Sequence, residues 1–292
     1  MLGAVHDQNA SAGPLVTALM PLKAYDPRYL SEALDSIREQ TSCAWRLVVI
    51  ADPPDVRDVT RALGSLTADE RLEVVANEGT RLAGAINSGM RHAGTEFVAL
   101  LFADDRWSSD AVAVLTQHIR ESPHVDFFHS ARRIIDDEGR PISAVHRPVP
   151  HVTLRDFSER NPVKHLLCWR RSMGLAIGGL DERSPSVGPD DMDFPWTMAE
   201  HGARFGAIDD CLYVYRDHRR VFRLTTHRPR RVHTREHRRV FRKHGLPRRQ
   251  VRERVDAARR TFLQQCLFES RLEALVRTRL GQIPTPWRDT YR

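Results

Sequence analysis

The sequence predicts an α/β protein in which a mixed, mainly parallel sheet is flanked by helices. Short apolar segments alternate with segments whose apolar residues recur at helical spacing. Because strands alternating with helices favour parallel pairing, both faces of the sheet should be covered. The chain of 292 residues is long enough for one such domain and an appendage. The predicted strands cover residues 15–20, 46–51, 72–76, 96–102 and 125–130.

The first strand and helix carry clear local signals. Residues 15–20 are apolar and β-prone, and Asp26 and Pro27 then mark a helix start. Aspartate caps the first free backbone N–H groups, and the fixed φ of proline suits the first helical turn. One face of this helix is apolar, with Leu30, Ala33, Leu34 and Ile37.

Acidic residues follow two of the later strands directly. Asp52 ends the second strand, and Asp104 and Asp105 end the fourth. In open parallel sheets, ligands bind beyond the carboxyl ends of the strands. No glycine-rich phosphate loop of the Walker or dinucleotide type occurs, so a bound phosphate needs another positive partner, and a metal ion is the natural candidate.

Asp104 and Asp105 are adjacent carboxylates that repel each other unless a cation or hydrogen bonds compensate. Mg²⁺ commonly binds one or two carboxylates together with substrate phosphates. A solvated turn that caps a helix would also account for the pair. Their position at the end of an apolar strand favours a ligand-binding role.

A second acidic group opens a helix in the second half of the chain. Asp190 and Asp191 precede an apolar face that includes Phe194 and Met198, so either acid could be the N-cap. An acidic group beside an acceptor could remove its proton, and Asp191 is our candidate for that general base. By contrast, the acids at 136–138 before Gly139 indicate a solvated hairpin tip.

Several motifs in order resemble the inverting glycosyltransferases of family 2, which have the GT-A fold. "PLKAYDPRYLSEALDSIREQT" resembles their first strand and helix, and "VVIADPP" their second strand. "TRLAGAINSGMRHAGTEFVALLFADDRW" is similar to their third helix and metal-binding strand end, and its "TRxAxxIN" form to the spore-coat polysaccharide glycosyltransferase branch. "GGLDE", "GPDDMDF" and "YRDH" follow, so the resemblance covers about residues 14–220.

This resemblance implies a role for each matching residue. It implies a nucleotide diphosphate sugar as donor, Mg²⁺ or Mn²⁺ as cofactor, and a glycan, lipid carrier or small molecule as hydroxyl acceptor. The implied donor-binding residues are Pro21, Asp52, Arg81 and Asp104; the metal ligands are Asp105 and His218; Asp191 is the base, and Asp190 orients the acceptor or its loop.

The chain departs from the family pattern at three places. Ala51 and Phe102 stand where the family carries the first acids of its two aspartate motifs. Thr197 stands where processive members carry Arg-Trp, which favours transfer of a single sugar. A nucleotidyltransferase acting on sugar phosphates, or a non-catalytic nucleotide-sugar binder, are the alternatives; the first usually has a phosphate loop, which is not visible between Leu19 and Asp26.

The last quarter of the chain is a basic extension. Residues 216–292 contain 23 Lys and Arg against 7 Asp and Glu, whereas the remainder contains 22 against 31. We therefore divide the chain into a flexible tail (1–13), a catalytic domain (14–220, with halves at 14–131 and 132–220) and a basic helical extension (221–292).

Helical periodicity over 229–244 and 248–280 leaves the extension free to dock on the domain or to form a dimer seam. Its arginines could be a solvated surface or contact a membrane, a lipid diphosphate or nucleic acid. Nucleic acid is the least favoured, because aromatic residues are not interleaved. The first dozen residues do not resemble a signal peptide, and the apolar runs are short, so we expect a cytoplasmic protein, with peripheral membrane contact possible.

Overall fold

The computed structural model describes residues 13–183, 190–218 and 230–265. The strands are β1 Val16–Leu22, β2 Trp45–Ala51, β3 Leu72–Ala76, β4 Phe97–Leu100, β5 Arg106–Trp107, β6 Phe127–Ile135, β7 Leu167–Arg170 and β8 Phe205–Arg216. The helices are α1 Pro27–Arg38, α2 Val56–Leu63, α3 Arg81–His92, α4 Ala111–Glu121, α5 Leu154–Glu159, α6 Arg171–Ala176, α7 Asp190–Glu200, α8 Arg230–Lys243 and α9 Arg248–Gln265. All five predicted strands are present, although the fifth begins later and runs to Ile135.

The eight strands form one sheet in the order β3-β2-β1-β4-β7-β6-β8-β5. The pairs β1–β2, β1–β4, β2–β3 and β6–β8 are parallel, and β7 is antiparallel to both β4 and β6. Because β7 reverses direction between them, β4, β6 and β8 all run the same way. The carboxyl ends of β1, β2, β4 and β8 therefore lie along one edge of the sheet, which we call the site edge.

The two faces of the sheet are buried separately. One apolar core contains Leu30 and Leu34 of α1, Val59 of α2 and Val112 of α4. The other contains Met90 of α3 and the apolar residues of α7, α8 and α9. Helices cover both faces, so the predicted layered α/β architecture is confirmed.

The basic helices α8 and α9 pack on the domain. Val240 and Phe241 of α8 and Val251 and Val255 of α9 are buried in the same core as Phe194 of α7. Docking, one of the two arrangements expected for this periodicity, is the one observed. The predicted continuation of the second helix from 266 to 280 lies outside the described residues.

Ion pairs to acids with little exposure hold α8 to the domain. Asp193, which is 3% exposed, accepts hydrogen bonds from Lys243 Nζ at 2.8 Å and from His244 Nε2 at 2.7 Å. The His244 ring stacks on Trp196 with a centroid distance of 4.2 Å. Arg239 reaches Asp181 at 2.8 Å. The part of the extension nearest the domain is thus joined to it by charge as well as by apolar packing.

Local side-chain hydrogen bonds to the backbone stabilise two elements near the site edge. Asp26 Oδ1 accepts the backbone N–H of Arg28, as expected for the N-cap of α1. The predicted hairpin tip is a turn in which Asp136 caps the backbone N–H groups of Glu138 and Arg140. No helix in the described part of the chain is long and apolar enough to cross a membrane.

Candidate functional site

Asp105 is buried and its carboxylate is held by β8. It is 2% exposed, and the Tyr213 hydroxyl donates to its Oδ2 at 2.6 Å. The backbone N–H of Arg216 donates to its Oδ1 at 2.7 Å. Each carboxylate oxygen therefore already accepts a hydrogen bond, and the role of Asp105 as a metal ligand stays a prediction.

Asp104, the preceding residue, is paired with His218. Asp104 is half-buried, and its Oδ2 lies 2.9 Å from His218 Nε2. The imidazole packs against Tyr29, and its Nδ1 has no hydrogen-bond partner within the described ranges. No group of three or more His, Cys, Asp and Glu side chains that could hold a metal occurs there either. Two side chains are too few to hold a divalent cation, so an ion bound by Asp104 and His218 would need further oxygen ligands from a substrate.

Arg216 is the last residue of β8 and lies next to Asp104. Its side chain is fully buried and binds the Glu32 carboxylate. It also donates to the carbonyl oxygens of Asp104, Asp136 and Asp137 at 3.0–3.3 Å. Arg216 is thus a structural residue that ties the end of β4 to the hairpin turn.

The ends of β1, β2 and β3 meet at Asp52. Lys23 Nζ lies 2.8 Å from one Asp52 oxygen, and Asn77 Nδ2 donates to the other at 3.0 Å. The hydrogen bond from Lys23, with that from Asn77, outweighs partial burial and lowers the pKa of Asp52. Pro21 lies in β1 beside Ile50 of β2. This part of the site edge therefore presents an ionised carboxylate with amide and ammonium donors.

The loop that leads into α3 has a specific backbone shape. Arg81 has φ +59°, the only positive φ of a non-glycine residue in the described chain. The backbone of Gly79 approaches Gly84 so closely that a Cβ on Gly84 would lie 2.5 Å from the Gly79 carbonyl carbon. Glu182, in the "GGLDE" motif, accepts the Thr80 backbone N–H at 2.9 Å. Positive φ costs energy for arginine, so the surrounding contacts must hold Arg81 in place.

Asp191 lies at the start of α7 among cationic groups. Asn161 Nδ2 lies 3.4 Å from its Oδ2. Although Asp191 keeps solvent exposure, protein atoms crowd its carboxyl, and this desolvation raises its pKa. The charges of Arg132 and Lys164 act in the opposite direction. Desolvation and the charge of Arg132 in turn lower the pKa of Lys164 to about 8.

A set of neighbouring side chains leads from Asp105 to Arg132, whose charge acts on Asp191. Arg132 lies 3.5 Å from His165 Nδ1. The His165 ring packs against Tyr213 at a centroid distance of 5.3 Å, and Tyr213 binds Asp105. Burial and then the charge of Arg132 lower the pKa of His165 to about 3, so this ring is neutral. Contacts thus run from Asp105 through Tyr213 of β8 and His165, which precedes β7, to Arg132 of β6.

The remaining predicted positions are placed less directly. Asp190 is the first residue of α7 and is half-buried. Thr197 donates to the Asp193 carbonyl within α7. Phe102 packs edge-on to His165, so an apolar contact stands where the family carries an acid. Ala51 is buried in β2.

Sequence reasoning missed several residues at the site edge. Lys23 and Asn77 contact Asp52, and the charges of Arg132 and Lys164 act on Asp191, yet none of the four is among the predicted site residues. Lys164 is one of only three lysines among the 45 Lys and Arg residues of the chain, and this rarity could have identified it as a candidate. Arg132 carries no such signal among so many arginines.

Comparison with known proteins points to one family. The model of the family described as "Glycosyl transferase family 2" matches residues 17–176, more than half of the chain. O-antigen biosynthesis protein RfbC of Myxococcus xanthus is 24% identical over 71% of this chain and 16% of its own length. The glucosyltransferase WfgD of Escherichia coli, named for UDP-Glc and a GlcNAc-diphosphoundecaprenol acceptor, is 28% identical over 42% of this chain and 47% of its own length. TuaG of Bacillus subtilis, a putative teichuronic acid biosynthesis glycosyltransferase, is 26% identical over 46% of this chain and 54% of its own length. The chain thus spans about half or less of these curated relatives.

Solved structures share the fold. TarS of S. aureus in complex with UDP-GlcNAc superposes with a TM-score of 0.59 at 18% identity, covering 85% of this chain and 71% of TarS. The mannosyltransferase PcManGT of Pyrobaculum calidifontis, with GDP-Man and Mn²⁺, superposes with a TM-score of 0.57 at 20% identity, covering 93% and 80%. The predicted GT-A fold is confirmed.

Proposed function

Because the chain belongs to glycosyl transferase family 2, we propose that it moves a single sugar from a nucleotide diphosphate sugar to an acceptor hydroxyl, with inversion. The observation that carries the proposal is the pairing of Asp104 with His218 at the site edge. The charge of Arg132 acts on Asp191, and Arg132 is connected to Asp105 through His165 and Tyr213. A cation-binding pair and a base on opposite sides of one reacting centre are what this transfer needs.

The donor nucleotide would bind where β1, β2 and β3 end. Asp52 is ionised and oriented by Lys23 and Asn77, so its carboxylate can accept a hydrogen bond from a base N–H. Arg81 is exposed beside Asn77, whose amide donates to the Arg81 carbonyl. A guanidinium in that place can approach the diphosphate. TarS and PcManGT, which share the fold, were solved with UDP-GlcNAc and GDP-Man, in support of a nucleotide sugar.

Asp104 and His218 would hold Mg²⁺ or Mn²⁺. A carboxylate oxygen and an imidazole nitrogen 2.9 Å apart already converge, and such a mixed oxygen and nitrogen pair suits Mn²⁺ well. The ion would neutralise the charge that develops on the leaving diphosphate. This assignment moves the metal from Asp105 to Asp104, and Asp105 becomes the anchor that orients both strand ends.

Asp191 would act as general base. Its carboxylate accepts the proton of the acceptor hydroxyl while that oxygen bonds to the anomeric carbon. The bond from the anomeric carbon to the diphosphate oxygen breaks at the same time, and the diphosphate leaves with the electron pair. A single displacement from the face opposite the leaving group inverts the anomeric configuration. Arg132 and Lys164 favour the ionised carboxylate needed to begin this step.

Calorimetric titration with UDP, GDP and dTDP, each with and without Mn²⁺, tests the donor site. We expect at least one nucleotide diphosphate to bind more tightly with the metal. Asp191→Asn should keep that binding and lose sugar transfer, measured with the donor so identified and a panel of glycan, lipid-linked and small-molecule acceptors. No binding to any nucleotide diphosphate would refute the donor assignment, and an active Asp191→Asn enzyme would exclude Asp191 as base.

A further inference from the structure

Four exposed arginines form a row along α8. Arg231, Arg235, Arg238 and Arg242 are spaced by 4, 3 and 4 residues, which places them on one side of the helix. At a rise of about 1.5 Å per residue, the row is roughly 16 Å long. We call it the α8 arginine row.

The row differs from the basic residues of α8 that stabilise the fold. Val240 and Phe241 on the opposite side are buried in the core. Arg239 and Lys243 flank that buried side and bind Asp181 and Asp193. The helix therefore separates cations that hold it to the domain from cations that face outward.

Few acids balance the row. Glu236 is the acid of α8; it is 2% exposed and binds Arg235 and Arg239. Arg231, Arg238 and Arg242 have no ion pair with any described residue. In α9, by contrast, exposed Arg249 pairs with Glu253, and exposed Arg259 pairs with Asp256. The outward charge of α8 is thus concentrated and positive, whereas that of α9 is mixed.

We propose that the α8 arginine row binds the surface of an anionic lipid membrane. A straight row on one helix matches a flat surface, and guanidinium groups bind phosphate oxygens in a bidentate way. The exposed positions of α8 carry no aromatic residue, so the base stacking typical of single-stranded nucleic-acid binders has no partner there. They carry no large apolar residue either, so attachment would be electrostatic and without insertion.

Membrane contact through α8 would also orient the candidate site. Lys243 and His244, at the end of α8, bind Asp193 of α7, two residues from Asp191. The row and the start of α7 therefore belong to one packed unit. Binding to the surface would hold the acceptor side of the site at a fixed orientation to the lipid, although the binding itself does not depend on the proposed sugar transfer.

Vesicle co-sedimentation of the full chain tests the proposal. The vesicles contain neutral phosphatidylcholine alone or phosphatidylcholine mixed with anionic phosphatidylglycerol. The row variant is Arg231→Gln, Arg238→Gln and Arg242→Gln, which spares the Arg235 contact to Glu236. The matched control is Arg249→Gln, Arg252→Gln and Arg259→Gln on α9, which removes the same charge from exposed positions.

The wild-type chain should bind the anionic vesicles only, and added salt should weaken the binding. At about 1 kcal/mol per arginine near the surface, the row variant should lose roughly a hundredfold in partition, and the α9 control only a few-fold. Equal losses in the two variants would show that net charge, not this row, determines binding. Equal binding to neutral vesicles, or tighter binding to an oligonucleotide at the same phosphate concentration, would overturn the proposal. An unchanged melting temperature of the row variant shows that it folds.

Discussion

The neighbouring carboxylates Asp104 and Asp105 should respond in opposite ways to the same substitution. Asp105→Asn should destabilise the fold, whereas Asp104→Asn should leave stability almost unchanged and abolish metal-dependent nucleotide binding. The reason is the different surroundings of the two side chains. Asp105 is buried between two donors, and Asp104 is half-buried beside one imidazole. The two variants are matched controls for each other, because each removes one negative charge and the two residues are adjacent.

The cost at Asp105 can be worked from its two hydrogen bonds. Hydrogen bonds to a charged group contribute about 1.5–3 kcal/mol each. An asparagine keeps one accepting oxygen, but its NH₂ group would face the other donor, either the Tyr213 hydroxyl or the Arg216 N–H. The hydroxyl can rotate, so the net loss is about 2–4 kcal/mol. In a domain of this size that corresponds to a fall in melting temperature of roughly 4–16 °C.

Differential scanning fluorimetry measures the stability of each variant, and calorimetry with a nucleotide diphosphate and Mn²⁺ measures the site. Tyr213→Phe serves as a further control, because it removes one of the two donors without changing charge and should cost about 1.5–3 kcal/mol. The reasoning would be refuted if Asp105→Asn lost metal binding at unchanged melting temperature while Asp104→Asn bound the metal normally.

Three other changes test separate parts of the structure. Lys164→Met should move the acid limb of the transfer pH profile to higher pH, because the lost cation no longer opposes the raised pKa of Asp191, whereas Lys164→Arg should not. Asp193→Asn should lower the melting temperature near neutral pH and much less in strong acid. Burial opposes the ionisation of Asp193, but His244 and Lys243 outweigh it and lower the pKa of this carboxyl. The stability that Asp193 contributes is therefore full above the ordinary aspartate pKa and is lost as pH falls through the lowered value. A temperature difference that stays constant down to strong acid would contradict this. Gly84→Ala should cost about 1–3 kcal/mol and weaken donor binding, because the new Cβ meets the Gly79 backbone, whereas Gly94→Ala has open space and should be neutral.

Much of the fold follows from local sequence. The alternation of apolar segments with helical segments predicts β1, β2, β3 and β4 almost to their ends, and the Asp26 cap predicts the start of α1. The rule that ligands bind at the carboxyl ends of parallel strands also leads to Asp52, Asp104 and Asp105. These inferences succeed because strand burial and helix capping depend on residues close together in the chain.

The assignment within the site could not be predicted in the same way. Asp104 and Asp105 are neighbours in sequence, and only their partners distinguish them: Tyr213 lies 108 residues from Asp105, and His218 lies 114 residues from Asp104. Which way each carboxylate turns depends on how β4 and β8 come together. Likewise, nothing in the pattern of arginines separates buried Arg216 from the exposed ones.

The buried contacts of Asp105 explain why the paired side chains beside it can be ready for a ligand. Tyr213 and the Arg216 N–H hold the end of β4 against the end of β8, although these strands are separated in the sheet by β7 and β6. Arg216 also binds the Asp104 carbonyl, so the backbone of Asp104 is fixed on the side away from its carboxylate. Asp104 and His218 then face each other without a further loss of chain entropy on ligand binding, because folding has already ordered both. In the proposed assignment, Asp105 would not touch the ligand, yet its contacts would determine how tightly Asp104 binds it.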